Sequence, residues 1–153
     1  MKYYFLKNDF LKLNRQISEI EDRIKNIGME MGKSCSEGAE TYHDNFAFEE
    51  GERMQRMWSL RLRELMDVYC RAIIVDEPKD LDKAVIGKEI IIMDDKTEDI
   101  KKIRIGSYYT FGDSDTVSYN SPLGSLILGS RQGDIVSGTI CGVKKSYEII
   151  QIN

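Results

Sequence analysis

Residues 6–31 read LKNDFLKLNRQISEIEDRIKNIGMEM, and this stretch decides the fold of the N-terminal half. Together with Tyr3, its apolar residues Leu6, Phe10, Leu13, Ile17, Ile20, Ile24, Ile27 and Met31 follow at alternating steps of three and four. That spacing keeps one apolar stripe on one side of an α-helix, and over this length it marks a seam made for a second helix. Asn8 or Asp9 can cap the start, with Tyr3 and Leu6 packing just ahead of the helix. Gly28 weakens the last turns, and Gly32 is a natural stop.

Working outward, Lys33 to His43 break the heptad with small polar residues and predict a turn, a tip loop over 33–44. A second helix is predicted from Asp44 or Asn45, either of which can serve as N-cap. Its seam is Ala47, Gly51, Met54, Trp58, Leu62, Leu65, Tyr69 and Ala72, with Arg61 sharing it. Two such helices joined by a loop are most simply an antiparallel pair, each roughly 40 Å long, which makes the loop the far tip of a rod.

The composition changes near Asp76-Glu77-Pro78, after which come most of the glycines and a β-rich pattern. Residues 1–75 read as a helical hairpin and 80–153 as a small β domain. Strand segments are predicted in Ala84–Met93, Ile100–Thr110 and Val117–Tyr119, with a polar turn at Asp94–Asp99. Ser121-Pro122 carries a hydroxyl N-cap followed by proline, so a short helix over Leu123–Leu128 follows and ends at Gly129. Ile135–Ile140 and Ser146–Ile152 form a last hairpin around Cys141-Gly142-Val143. The predicted class is α+β: a two-helix antiparallel coiled coil, then a small antiparallel sheet with one short helix.

Bulk composition narrows the function. A net charge of −4 argues against a free-standing nucleic-acid binder, and no free DNA binding is expected. No apolar run approaches the ~18–20 residues that cross a bilayer, and the N-terminus soon meets Lys7, Asn8 and Asp9, so no membrane role and a cytoplasmic location are expected. Cys35, Cys70 and Cys141 lie far apart without metal spacing, which predicts fillers or bystanders in a reducing compartment. Asp94–Asp99 lacks the central glycine and the terminal bidentate position of a calcium loop. Arg53, Arg56, Arg61, Arg63 and Arg71 make the second helix locally basic, either a phosphate-facing stripe or a solvated face paired to Glu52 and Glu64.

From Val117 to Asp134 the chain reads Val-Ser-Tyr-Asn-Ser-Pro-Leu-Gly-Ser-Leu-Ile-Leu-Gly-Ser-Arg-Gln-Gly-Asp. This order of strand, Ser-Pro helix start, glycine stop and Gly-Asp strand opening resembles the Gre family of bacterial transcription elongation factors (GreA/GreB). The similarity from Gly133 to Ile152 is gapless. Asp44-Asn45-Phe46-Ala47-Phe48 resembles the stretch that leaves the family's acidic tip, and Arg61 to Asp76 resembles its returning helix and interdomain step. The family's fold is an N-terminal antiparallel coiled coil followed by an FKBP-like domain. There are departures. The family's tip pairs two acids three residues apart, whereas a gapless reading here puts Thr41 at the first and Asp44 at the second. The Arg-Pro interruption of the first helix is also missing, and the segment before Val117 is shorter.

The resemblance implies a partner, bacterial RNA polymerase, whose secondary channel the coiled coil would enter. The nascent RNA 3′ end would be met only indirectly. It also implies magnesium shared within the polymerase complex, none being tightly bound to the factor. The polymerase would then cleave its own backtracked RNA, and the factor would be no enzyme. Glu40 and Asp44 are the metal-directed candidates, with Glu37 in reserve; Asp44 as helix cap and Glu40 as a solvated loop acid are the competing roles. Ser118, Asn120, Ser121 and Pro122 match the stretch implicated in docking on the polymerase, while helix initiation alone accounts for Ser121 and Pro122. Thr41 leaves open a second function, a non-cleaving regulator acting through the same channel. A prolyl isomerase or peptide-binding module is a third, resting on fold analogy alone.

Overall fold

The computed structural model describes residues 1–37, 46–76, 78, 82–112 and 114–153, the side chains of residues 34, 35 and 37 excepted. In chain order the elements are β1 (Tyr3–Leu6), α1 (Lys7–Glu37), α2 (Phe46–Cys70), β2 (Ala72–Val75), β3 (Glu89–Asp94), β4 (Ile100–Gly106), β5 (Thr116–Ser118), α3 (Pro122–Ile127), β6 (Ile135–Ile140) and β7 (Val143–Ile152). They divide into two compact units, Leu11–Arg71 and Met1–Phe10 with Ala72–Asn153.

The helical unit is built on the predicted seam. Leu13, Ile17 and Ile20 are buried on α1, and Leu65 and Val68 on α2. Val68 is an addition to the expected seam, and Ala47 is exposed rather than part of it. Met31 meets Gly51, Gly28 sits beside Gln55, and the Arg23 guanidinium lies 4.4 Å from the centre of the Trp58 ring. As α1 numbers fall, their α2 partners rise, so the helices are antiparallel. Gly51 is needed there, because a Cβ would run into the Met31 side chain.

Three sequence expectations change here. The first helix does not stop at Gly32 but continues to Glu37. A glycine inside a helix costs about 1 kcal/mol against alanine, too little by itself to end a helix of 31 residues. The predicted tip loop over 33–44 is thereby shortened at its N-terminal side. Tyr3 and Leu6 lie in a strand and not in the helical seam: β1 pairs in parallel with β2, Tyr3 opposite Ala72 and Leu6 opposite Val75. Residues 1–10 and 72–75 consequently group with the β unit, and the compact units differ from a 1–75 and 80–153 division. Among the described residues the arginines pair as Arg53 with Glu50, Arg61 with Glu64 and Arg71 with Asp67, so the expected pair to Glu64 forms and Glu50 and Asp67 take the other two.

The β unit carries a five-stranded sheet in the order β5-β4-β3-β7-β6. Alternation along β3 buries Ile90 and Ile92, and Ile103, Ile105, Tyr147 and Ile149 join them on the same face. Ile127 of α3 packs onto this cluster. The sheet is antiparallel except for β4 with β5, which run parallel, a correction to the all-antiparallel expectation. β4 also ends at Gly106 and not Thr110. The chain leaves the sheet there because Tyr108 N donates to Tyr4 O (3.0 Å) and Ser107 turns inward. Ser107 is fully buried, accepts from Leu6 N at 2.8 Å and donates to Asp9 Oδ2 at 2.6 Å. This clasp fastens the β1–α1 junction.

Asp94 closes the β3–β4 turn. Its Oδ1 accepts from Lys96 N (3.0 Å) and its Oδ2 from Lys145 Nζ (2.9 Å). The Lys145 ammonium, then the Lys96 amide, holds the carboxyl below its ordinary value. A depressed folded-state value means the stabilisation is complete above the unfolded carboxylate range, about pH 4, and is lost as pH falls through the lower folded value. Asp94→Asn is therefore expected to lower Tm by a constant amount at neutral pH, the gap to wild type closing in acid. A melting series against pH checks this; a gap that widens in acid contradicts it.

Candidate functional site

The segment from Ser118 to Gly124 is a hydrogen-bonded turn feeding a helix. Ser121 N and Ser121 Oγ both donate to Ser118 O, at 3.0 and 2.7 Å. Ser121 Oγ in turn accepts from Gly124 N at 3.0 Å, which makes Ser121 the N-cap of α3, and Pro122 takes the first helical position. Ser118 Oγ donates to Tyr108 O at 2.9 Å. Gly124 is buried, and a Cβ on it would press into the Ser118 carbonyl oxygen.

The four candidate docking residues thus divide. The hydroxyls of Ser118 and Ser121 are used inside the turn, and the Pro122 ring fits helix initiation. Asn120 is exposed, and its side-chain amide makes no hydrogen bond among the described residues. Beside the turn lies an apolar groove of about 390 Å³, lined by Tyr4, Val75, Val85, Ile86, Tyr119 and Leu128 among others. Tyr119 anchors it: its hydroxyl accepts from Tyr4 N at 3.2 Å, and the two rings meet edge to face at 5.9 Å. Behind them Tyr108 packs on Tyr3 at 4.4 Å, and burial raises the Tyr108 phenol above its ordinary value.

The tip candidates Glu40, Thr41 and Asp44 lie outside the described residues. Glu37 is the last residue of α1. Among the described residues, no group of three or more His, Cys, Asp or Glu is placed to hold a metal ion, and no helix is long and apolar enough to cross a membrane. Cys70 and Cys141 are exposed free thiols.

The family model described as transcription elongation factor GreA/GreB, C-terminal, matches residues 77–153, half of the chain. The chain belongs to the GreA/GreB family. Curated relatives named transcription elongation factor GreA include one from Rickettsia canadensis, 27% identical over 154 residues, covering 99% of this chain and 94% of the relative. Another, from Sulfurovum sp., is 24% identical over 151 residues, covering 96% and 91%. Among solved structures, GreA factor homolog 1 (Gfh1) of Thermus thermophilus aligns over 100% of this chain and 99% of its own at 20% identity, with a TM-score of 0.46. A GreA/GreB factor from Nitrosomonas europaea aligns over 100% and 98% at 13% identity, with a TM-score of 0.41.

Within this GreA/GreB chain, sequence reasoning missed Gly124, Tyr4 and Tyr119. Gly124 is legible as the third residue after a Ser N-cap, where the cap's acceptor sits closest. The tyrosines carry no such signal, because the groove joins residues 4, 75, 86 and 119, which only folding brings together.

Exchanging Asn120 and Ser121 separately distinguishes contact from architecture. Ser121→Ala is expected to cost about 1 kcal/mol of stability through the lost cap. Asn120→Ala is expected to leave Tm unchanged, because its side chain makes no hydrogen bond among the described residues. Thermal melts check both; a destabilised Asn120→Ala contradicts the division.

Proposed function

We propose that this chain is a transcription elongation factor of bacterial RNA polymerase. It docks through the 118–122 turn and the neighbouring apolar groove, and it presents the tip of its helical pair to the polymerase's secondary channel. There it stimulates the polymerase to cleave its own backtracked RNA. The factor itself is no enzyme, meets the RNA 3′ end only through the polymerase, and works in the cytoplasm without binding free DNA. The observation that carries this reading is an antiparallel helical pair joined to a C-terminal unit of GreA/GreB type.

The chemistry of the tip supports it. Magnesium takes oxygen donors and often only one or two carboxylates from a protein. Glu40 and Asp44 are such donors, and they would hold the ion jointly with the polymerase. When bound, the ion would stabilise charge on the phosphate under attack. The two carboxylates would orient water against that phosphate. Asp44 can do this and cap α2 only if one carboxylate oxygen stays free.

Thr41, at a position where the family usually carries an acid, favours a second reading: a regulator that uses the same channel without cleavage. One assay separates the two. Stalled, backtracked polymerase is incubated with the protein and magnesium, and RNA length is followed. Shortening of the 3′ end is expected. Binding without shortening at any concentration rejects the cleavage reading, and a Thr41→Asp variant that then gains shortening establishes the regulator.

A further inference from the structure

The seam of the helical pair changes along its length. Its buried residues gather at one end, Leu13, Ile17 and Ile20 on α1 with Leu65 and Val68 on α2. From there the seam runs on through Ile24, Ile27 and Met31 on α1 and through Trp58, Met54 and Gly51 on α2. Among the described residues of 21–37 and 46–64, none is buried. Burial of apolar surface is the main force that holds one helix on another, so the distal half is held by far less of it than the base.

Two further features lie in the same half. Every glycine of the two helices is there, Gly28 and Gly32 on α1 and Gly51 on α2. Each favours the unfolded chain about fivefold over an alanine at the same place. The second feature is Trp58. Arg23 covers its ring, but the indole Nε1 is buried and finds no acceptor among the described residues. A buried donor left unpaired favours any state in which water can reach it. Weak burial, helix-weakening residues and an unpaired donor therefore act in one direction on one stretch of the pair.

We infer that the distal half of the helical pair, 24–33 of α1 with 48–58 of α2, opens as one unit while the base stays packed. The two stretches open together because they hold each other. Met31 lies over Gly51, Gly28 sits beside Gln55, and Arg23 covers Trp58. Once these contacts part, each stretch is a short glycine-containing segment, below the ~12–15 residues at which a helix stands alone in water. Opening stops at Ile20, where burial begins. Under the function proposed above, the tip acids ride on a segment that parts and re-forms while its root holds. That consequence rests on the proposed function, whereas the opening itself is a property of the free chain and is tested without polymerase.

The test is amide hydrogen exchange of the full chain, read residue by residue by NMR. Amides of 24–33 and 52–57 are expected to be protected about 10²-fold less than those of 13–20 and 65–69, and the two distal stretches to share one level of protection. Two variants separate this from fraying ends and from opening of the whole pair at once. Gly28→Ala with Gly32→Ala adds Cβ atoms that meet nothing closer than Gln55 at 3.8 Å. Both positions are on α1, yet exchange in 52–57 of α2 is expected to slow about tenfold or more, as it does in 24–33. Ile17→Val, in the base, is expected to speed exchange in 13–20 about fivefold and to leave both distal stretches as in wild type. Uniform protection along the two helices overturns the inference. So does a double glycine variant whose effect stays on α1, or an Ile17→Val variant that speeds base and distal stretches alike.

Discussion

Replacing Glu40 and Asp44 together by alanine is expected to reduce stimulated RNA shortening by about 10²-fold or more, the usual cost of deleting groups that stabilise transition-state charge in a site closed to bulk water. The reason is the number of donors. A magnesium ion that takes only one or two protein carboxylates at its octahedron loses the factor's whole contribution when both are removed. The turn and groove proposed to dock are untouched, so polymerase binding should persist at wild-type strength. Glu37→Ala alone should leave shortening unchanged, because Glu37 is only the reserve acid. RNA-length gels beside a binding titration check all three variants. A double variant that still shortens RNA at the wild-type rate would remove the tip acids from the mechanism.

Gly124→Ala carries the largest expected effect on stability. The added Cβ must press into the Ser118 carbonyl oxygen, which already accepts from the Ser121 amide and hydroxyl. Backbone cannot swing aside as a side-chain tip can, so the turn or the first turn of α3 has to move. Overpacking costs about 1–3 kcal/mol, and loss of the Ser121 cap adds about 1 kcal/mol. An expected total of about 3 kcal/mol should appear as a clear drop in the denaturant midpoint without a change in slope. Because Asn120 is held by the same turn, the proposed polymerase contact should weaken as stability falls, whereas Ser121→Ala loses the cap and the hydroxyl's bond to Ser118 O but adds no atom to the turn. An unchanged midpoint would mean that the Ser118 carbonyl is free to yield.

The parts of this protein legible in its residues are those whose signal is local. The seam from Leu13 to Met31 reads correctly because helical contacts recur at three and four residues, whatever the partner. Ser121-Pro122 announces α3 because a cap and a first-turn proline act within one turn. Cys141-Gly142 lies between two alternating strands for the same reason.

Tertiary structure alone decided the rest. Tyr3–Leu6 has the spacing to extend the helical seam, yet it forms β1 because Ala72–Val75 returns beside it and Ser107 accepts from Leu6 N. Parallel pairing of two four-residue strands needs partners nearly seventy positions away, and no local pattern encodes a contact of that range. The same holds for the parallel β4–β5 pair and for the Tyr4–Tyr119 groove. Periodicity determined that this chain has two helices and a capped β unit. Which strand each end of the helical pair joins, and which side chains line the groove, followed only when distant backbone groups had to find their hydrogen-bond partners.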